Sequence, residues 1–573
     1  MKLGLKTIGL LFFLFFTVGA SAQVKKQTVG TFVNDEGAFD GYNLVSSVTG
    51  QNIYLIDNCG LKVHEWKTQH GTLVAYLLPN GDIVQAGKDP LGTWGNGGQH
   101  GVLTKYSWDG TKIWTYTLSN EEEVLHHDIE ILPNGNILAI SWKKIDRDKK
   151  IELGRDLDDP DLDLDLWDEV IYEFKPVGSN SVDVVWSWRV TDHLVQDLYS
   201  SKSNYGVISE HPEKLNFNYV KEGTGISSDW LHFNSIDYNE SLDQIVVSSL
   251  TTNEIYIIDH SGTTSETGGG IGGNSGKGGD ILYRWGNPEA YDKGTSDDRQ
   301  SFGQHDPHWI KYGEHQGKLM FFNNRFGGNY TSVDILELPE NGLNYALDAN
   351  GKFGPSEPIY QFTTPNKTDF FSAFMGAAEI LPNGHIYVTE STKGKLFEYD
   401  MENDKLVWSY ISPMRNSTLT KQGDSIYANQ QFRSFKYASD YGAFTNRNLT
   451  PGLPLEQDPW PSDCNGIDTT TKQDTTKQDT THTGGGAWVQ SVSQQTISIY
   501  PNPSNGIVNI KAWNNIDGLK IADITGKVLV AEEKLKLADT AQFDFSNIAE
   551  GVYFVTYSSN GYTKTERLIL SYN

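Results

Sequence analysis

From about residue 40 to residue 460, apolar and polar positions exchange at every second residue, in short runs broken by Asn-Gly and Asp-Gly. That period belongs to half-buried strands joined by tight hairpins, and long helical periodicity is absent. One turn recurs: Leu78–Ile83 (LPNGDI), Leu132–Ile137 (LPNGNI) and Leu381–Ile386 (LPNGHI). A second unit is a hairpin that often ends in tryptophan. It appears at Ile53–Trp66, Leu103–Trp114, Ile171–Trp188, Ile255–Trp285, Val333–Phe362 and Leu396–Trp408. Inner strand pairs accompany these hairpins at Leu73–Gln85, Leu125–Trp142, Leu231–Ser249, His305–Asn323, Phe374–Thr389 and, less regularly, after Ile426. Six units of four strands predict an all-β chain folded as a six-bladed β-propeller, because one blade alone cannot bury both its faces. The insertions at 143–169 and 189–229 are candidates to build a site on one face of the ring.

The pattern lapses after Cys464. Asp468–Thr481 (DTTTKQDTTKQDTT) and Gly484-Gly485-Gly486 carry no apolar residues for a core, so residues 464–496 read as a flexible linker. Alternation resumes at Ile497, with strands near 507–511, 518–523, 527–531, 541–545, 552–557 and 564–570. That spacing predicts a small C-terminal β-sandwich over 497–573. At the other end, Lys2 and Lys6 precede an apolar run from Ile8 to Phe16, and Ala20-Ser21-Ala22 forms a cleavage signal. Residues 1–22 therefore read as a signal peptide, leaving 23–463 for the propeller. No later run approaches the ~20 apolar residues of a spanning helix, so no transmembrane segment is expected.

A formal net charge of -27 argues against nucleic-acid partners, which need clustered Lys and Arg. Much of the acid lies in Asp156–Asp168 (DLDDPDLDLDLWD), read as a solvated loop, with a calcium-binding loop as the sharper alternative. Two cysteines, Cys59 and Cys464, are too few for a cysteine zinc site. Either they pair, clasping the two ends of the ring, or they stay as separate thiols.

The candidate chemistry is in the histidines. Seven residues before the turn positions Asn134, Asn239 and Tyr312 stand His127, His232 and His305. The same place in successive blades means the same height and radius, so three imidazoles should meet at one mouth of the channel. Asn234, two residues after His232, should share its face by strand alternation. His126 should face the other way and serve packing. Converging imidazoles allow two chemistries: a three-histidine metal site of a hydrolase or lyase, or covalent catalysis at one imidazole with its neighbours as acid, base and anion-binding groups. A non-catalytic surface binding propeller is the third reading. Trp230, Trp309 and Phe374 are candidate stacking residues for an aromatic ligand, or packing between blades.

Two resemblances narrow this. Tyr500-Pro501-Asn502-Pro503, Asp523-Ile524-Thr525-Gly526-Lys527, Gly551–Val555 and the strand Lys564–Leu570 resemble the C-terminal sorting domain of the type IX secretion system. That likeness implies handling by the type IX machinery, export across an outer membrane, and a secreted or surface-held product. Residues 40–460 resemble the arylsulfate sulfotransferase family. The likeness rests on Gly41–Leu44, His126-His127-Asp128, Asp229–Ile236 (DWLHFNSI), Gln304-His305-Asp306 and Phe432-Arg433. It implies transfer of a sulfuryl group from an aryl sulfate to a phenol through a sulfohistidine, with no nucleotide donor, metal or other cofactor. His305 matches the family's nucleophile, His232 and Asn234 its sulfuryl-binding pair, and His127 a further active-site histidine. The family's arginine falls at Leu250, a departure. Arg325 is the candidate replacement, with Arg284 behind it, and Ser372 is the candidate for the family's sulfate-site threonine.

Overall fold

The computed structural model describes residues 26–89, 94–95, 97–219, 228–325 and 328–460. It also describes 497–571, apart from 501–503, 505, 513–515, 524–526, 537–539 and 560–561. The expected signal peptide, linker and Cys464 lie outside the described residues. The chain divides into two compact units, Met1–Lys472 and Gln473–Asn573.

In the first unit, strands form six antiparallel sheets of four or five strands. Five are consecutive up-and-down meanders. Their inner strands are Gly71–Leu77, Glu123–Ile131, Phe233–Asn239, His305–Trp309 and Ala377–Ile380. The remaining sheet is assembled from both ends of the unit: Phe435–Ala438 pairs with Gly41–Ser46, which continues into Asn52–Ile56 and Lys62–Lys67. The inner pair expected after Ile426 is therefore split, and only one of its strands lies there. Gly30–Asn34 adds a fifth strand to the sheet of Lys405–Ile411.

Each sheet shares one apolar cluster with the next. Ile53 and Trp66 pack with Leu77 and Ile83; Val84 and Trp114 with Leu125 and Ile137; Ile171 and Trp188 with Phe233 and Ile245. Then Val246 and Trp285 pack with Trp309 and Phe321, Phe322 and Val333 with Val388 and Phe397, and Trp408 and Tyr410 return to Val45 and Tyr54. Burying an aromatic or branched side chain at such a junction stabilises by about 1.5–3 kcal/mol. Hairpin tryptophans also cross five of the six junctions, because a buried indole N–H needs an acceptor. Trp66 donates to Ser107 O (3.1 Å), Trp114 to Ser181 O (2.9 Å) and Trp188 to Gly279 O (2.7 Å). Trp285 donates to Pro355 O and Trp408 to Asn58 O, both at 2.7 Å. The last bond returns to the first sheet. Cys59 beside it is disulfide-bonded.

The second unit has a three-stranded sheet (Ile497–Tyr500, Ile507–Ala512, Thr540–Asp544) and a four-stranded one. The latter runs Val528–Leu535, Ile516–Asp523, Gly551–Ser559 and Tyr562–Leu570. Val508, Ile510, Ile521, Val555 and Leu568 are buried together. Among the described residues no helix is long and apolar enough to cross a membrane.

Candidate active site

His127 lies in the middle of the inner strand Glu123–Ile131, His232 just before Phe233–Asn239 and His305 at the start of His305–Trp309, and each strand is irregular near its histidine. Register shifts fall between Ile129 and His126, between Phe233 and Ser235, and between His305 and His308. His127 and His232 take left-handed backbone (φ 52° and 54°), and in the third strand the left-handed residue is Asp306 (φ 57°). Such bulges re-aim side chains, and simple alternation fails across them. The rings of His127 and His232 lie 4.4 Å apart, tilted by 70°. His305 is close enough that its charge acts on His127, while the charge of His232 acts on His305. Gly98 makes room for this cluster: its carbonyl accepts from His127 N–H at 2.7 Å, and a Cβ there would lie 2.1 Å from the His127 ring.

His305 is buried and its tautomer is set by its neighbours. Nδ1 lies 2.8 Å from Asn324 Oδ1 and 3.0 Å from Gly303 O, both acceptors, so Nδ1 carries the proton. The Asn324 amide cannot turn over, because its Nδ2 donates to Ser372 O and Met375 O, each at 2.8 Å. The remaining nitrogen, Nε2, keeps its lone pair and accepts from the Met375 N–H, at 3.3 Å. Burial, with the charge of His232 added, pulls His305 down to about 4 although Asn324 opposes the shift. The ring is neutral at physiological pH.

His232 is differently held. Its Nδ1 is 2.5 Å from Asp229 Oδ2, three residues earlier, and its side chain is 18% exposed. His127 joins a buried chain: its Nδ1 is 2.8 Å from His126 Nδ1, and His126 Nε2 is 3.0 Å from Glu169 Oε2. His126 thus faces the cluster, contrary to the alternation expected for it, because the left-handed turn at His127 brings the adjacent rings together. It stacks on Trp142 at 3.9 Å. Burial first, and then the charge of His232, holds both His126 and His127 well below the usual imidazole range. Burial and Asp229 push Glu169 well above the carboxylate range.

The other candidates are also placed. Asn234 is a bulge residue, fully buried; its Nδ2 donates to Gln304 O (2.8 Å), which fixes the start of the His305 strand. Ser372 reaches the site through its carbonyl on Asn324, while its hydroxyl donates to Phe374 O and accepts from Thr392 N–H. Arg325 follows Asn324, but its guanidinium is directed at Ser332 Oγ (3.1 Å) and Asp334 (3.6 Å). Arg284 is buried against Glu254. Leu250 N–H donates to His232 O (3.2 Å), so the apolar departure lies beside this histidine. The buried Arg433 bridges Asp128 (2.9 Å) and Asp306 (2.8 Å), the residues that follow His127 and His305, and also donates to Tyr76 Oη. Trp230 is core packing, and Trp309 lines a separate cavity of about 320 Å³ with Arg433 and Asp306 but none of the three histidines. Phe374 is 48% exposed, next to Met375.

Glu169 and Asn324 are site residues that the sequence did not single out, and Asp229 and Arg433 stood only within the motifs of the family resemblance, with no role given. Glu169 directly follows the acidic run read as solvated loop. That run is only partly solvated: Asp168 is buried and accepts from Arg189 and Thr191, and Asp159 pairs with Arg155. Among the described residues no group of three or more His, Cys, Asp or Glu is arranged to hold a metal ion, in the acidic run or at the histidines.

The site is thus an oriented, neutral imidazole among further histidines, carried by neighbouring antiparallel sheets. The arylsulfotransferase (ASST) family model matches residues 31–422, and the chain belongs to that family. Residues 498–571 match the secretion system C-terminal sorting domain, here of the type IX kind, which marks the protein for export to the cell surface or beyond. No curated protein matches. Among solved structures, a protein of unknown function from Bacteroides caccae is similar at 14% identity and TM-score 0.36, over 65% of this chain and 93% of that one. A streptogramin B lyase is similar at 12% identity and TM-score 0.32, over 67% and 88%. The periplasmic gluconolactonase of Pseudomonas aeruginosa is similar at 11% identity and TM-score 0.31, over 65% and 96%.

Proposed function

We propose that this protein moves a sulfuryl group from an aryl sulfate to a phenol through a sulfohistidine at His305. The observation that carries the reading is the state of this ring: Nδ1 donates to a locked Asn324, and Nε2 is unprotonated. Nε2 attacks sulfur in line with the departing phenolate. The S–O bond breaks, a nitrogen–sulfur bond forms, and Nδ1–H stays on Asn324 while the ring takes up positive charge. Asp229 accepts from His232 Nδ1–H and turns Nε2 toward the reacting group; in this step the ring carries a proton on both nitrogens, paired with the Asp229 carboxylate, and its Nε2–H donates to a sulfuryl oxygen. The Met375 N–H is released from Nε2 once sulfur binds there and donates to a second oxygen. Such donors are each worth about 10²–10³ in rate, which matters here because Arg325, Arg284 and Arg433 are all engaged by carboxylates. His127 protonates the departing phenolate and later deprotonates the acceptor. Asn234 acts through the main chain that carries His305.

We infer further that the six sheets are blades of one closed propeller, since the junction clusters run from each sheet to the next and back to the first, with an indole bond across five of the six junctions. The two tail sheets make a small sandwich. The working boundaries are 1–22, 23–463, 464–496 and 497–573, with the tail engaging the type IX machinery. The function is tested by steady-state kinetics with one aryl sulfate as donor and a different phenol as acceptor. Parallel double-reciprocal lines are expected, and His305→Asn should lower transfer by at least about 10³-fold. Intersecting lines, or a variant that keeps its rate, contradict the reading.

A further inference from the structure

Transfer through a covalent intermediate needs an acid in its first half and a base in its second, separated by the exchange of one phenol for another. The place where the proton waits must be out of water. It must also not leave a bare charge among buried imidazoles, which would cost several kcal/mol. His100, His126, His127, His232 and His305 act on one another here, so an imidazolium at His126 or His127 is disfavoured.

Three groups form a hydrogen-bonded line from the reacting cluster into the protein. His127 Nδ1 is 2.8 Å from His126 Nδ1, and His126 Nε2 is 3.0 Å from Glu169 Oε2. Both histidines and the glutamate are buried, and Phe233 N–H fixes the other Glu169 oxygen at 2.8 Å. Asp168, Asp229 and the Phe233 N–H face Glu169; His232 and His100 face His126. Stacking on Trp142 keeps His126 from swinging out of the line.

We propose that Glu169, His126 and His127 are a proton relay that holds the reaction's proton between its two halves, a role that rests on the sulfotransfer reading above. In the loaded state Glu169 is the carboxylic acid and donates to His126 Nε2. His126 Nδ1–H then donates to His127 Nδ1, and His127 Nε2–H points outward as the acid. When that proton leaves with the phenolate, His126 passes its Nδ1 proton to His127 Nδ1, and Glu169 passes its own to His126 Nε2. The line now ends in a carboxylate, with two neutral rings and a bare His127 Nε2, which is the base the acceptor phenol needs. Uptake of the acceptor's proton reverses each shift. The only formal charge on the line is the one on Glu169, at the inner end beside the Phe233 N–H. His127 is the catalytic residue; His126 and Glu169 act through it. The raised carboxyl and lowered imidazoles agree with a loaded resting state.

The test is Glu169→Gln, whose amide keeps the hydrogen bond to His126 but cannot yield or accept the travelling proton. Pre-steady-state phenol release is measured with 4-nitrophenyl sulfate, which needs little acid assistance, and with phenyl sulfate, whose phenol has a pKa of about 10 like tyrosine. The expected fall in the variant is at least ~10-fold larger for phenyl sulfate, the size of a lost proton transfer. An equal fall for both, or none, assigns Glu169 a structural role and overturns the relay. A second readout does not depend on sulfotransfer. Spectra of the protein with ¹⁵N-labelled histidine should show His126 protonated on Nδ1 and His127 on Nε2 at neutral pH, and an imidazolium at either position overturns the relay. If the wild type releases no phenol at all, the sulfotransfer reading fails, and the spectra alone then decide whether the proton line exists.

Discussion

In the proposed transfer, His305 owes its reactivity to what lies behind its ring. Asn324 accepts from Nδ1 and is itself pinned by Ser372 O and Met375 O, so the lone pair is held on Nε2. Asn324→Leu leaves Gly303 O as the remaining acceptor at Nδ1 and weakens that constraint, so the ring samples the other tautomer more often. Adduct formation should fall by ~10–100-fold with KM for the donor little changed, because binding does not depend on which nitrogen is bare. The acid limb of adduct formation checks the same contact. A neutral ring is the nucleophile, so in the wild type the rate should fall only as pH drops through about 4, not through the ordinary 6.5. Asn324→Asp places a carboxylate against Nδ1–H, favours the protonated ring, and should move that limb upward. The three histidines were legible from the repeat. Asn324 was not, because an ordinary polar residue at a strand end carries no periodic signal. Its role comes from two carbonyls nearly fifty residues away in sequence.

At the level of elements, the bulges decide what the strands present. Alternation placed Asn234 beside His232 and turned His126 away, yet each inner strand changes register at that point. The LPNG turns were readable because glycine is required at their left-handed fourth position: Gly81, Gly135 and Gly384 have φ of 89°, 84° and 84°. Histidine in left-handed backbone has no such signature. A strand after Ile426 was expected, but the pairing of Phe435–Ala438 was hidden, since its partner Gly41–Ser46 is at the opposite end of the unit. Arg433, just before that strand, ties it to the sheets of Asp128 and Asp306. Arg433→Met leaves two buried carboxylates without their cation, and urea denaturation should show a loss of about 3–5 kcal/mol, the cost of breaking a buried ion pair from one side. A loss below about 1 kcal/mol would mean the carboxylates are compensated from elsewhere.

For the whole molecule, the sequence exposes an export plan and a ring, and the two come from different signals. Composition separates the tail from the body, and the tail strands follow period-two alternation closely because one face of each sheet is buried around Val508, Ile521 and Val555. The body is readable through its tryptophans, whose indoles bond across each junction they border. The fifth of the six hairpins ends in Phe362, which packs without a donor. The net charge of -27 suits an exported protein and opposes an anionic donor, so affinity for a sulfate ester has to be built locally by N–H groups around His305. Everything functional then depends on which atom receives sulfur. The decisive measurement is peptide mass mapping of the full protein quenched in acid-free conditions after exposure to an aryl sulfate without acceptor. An added mass of about 80 Da should appear on the peptide containing His305 and vanish when a phenol is supplied. Adduct on another residue, or turnover with no adduct trapped, would contradict the account.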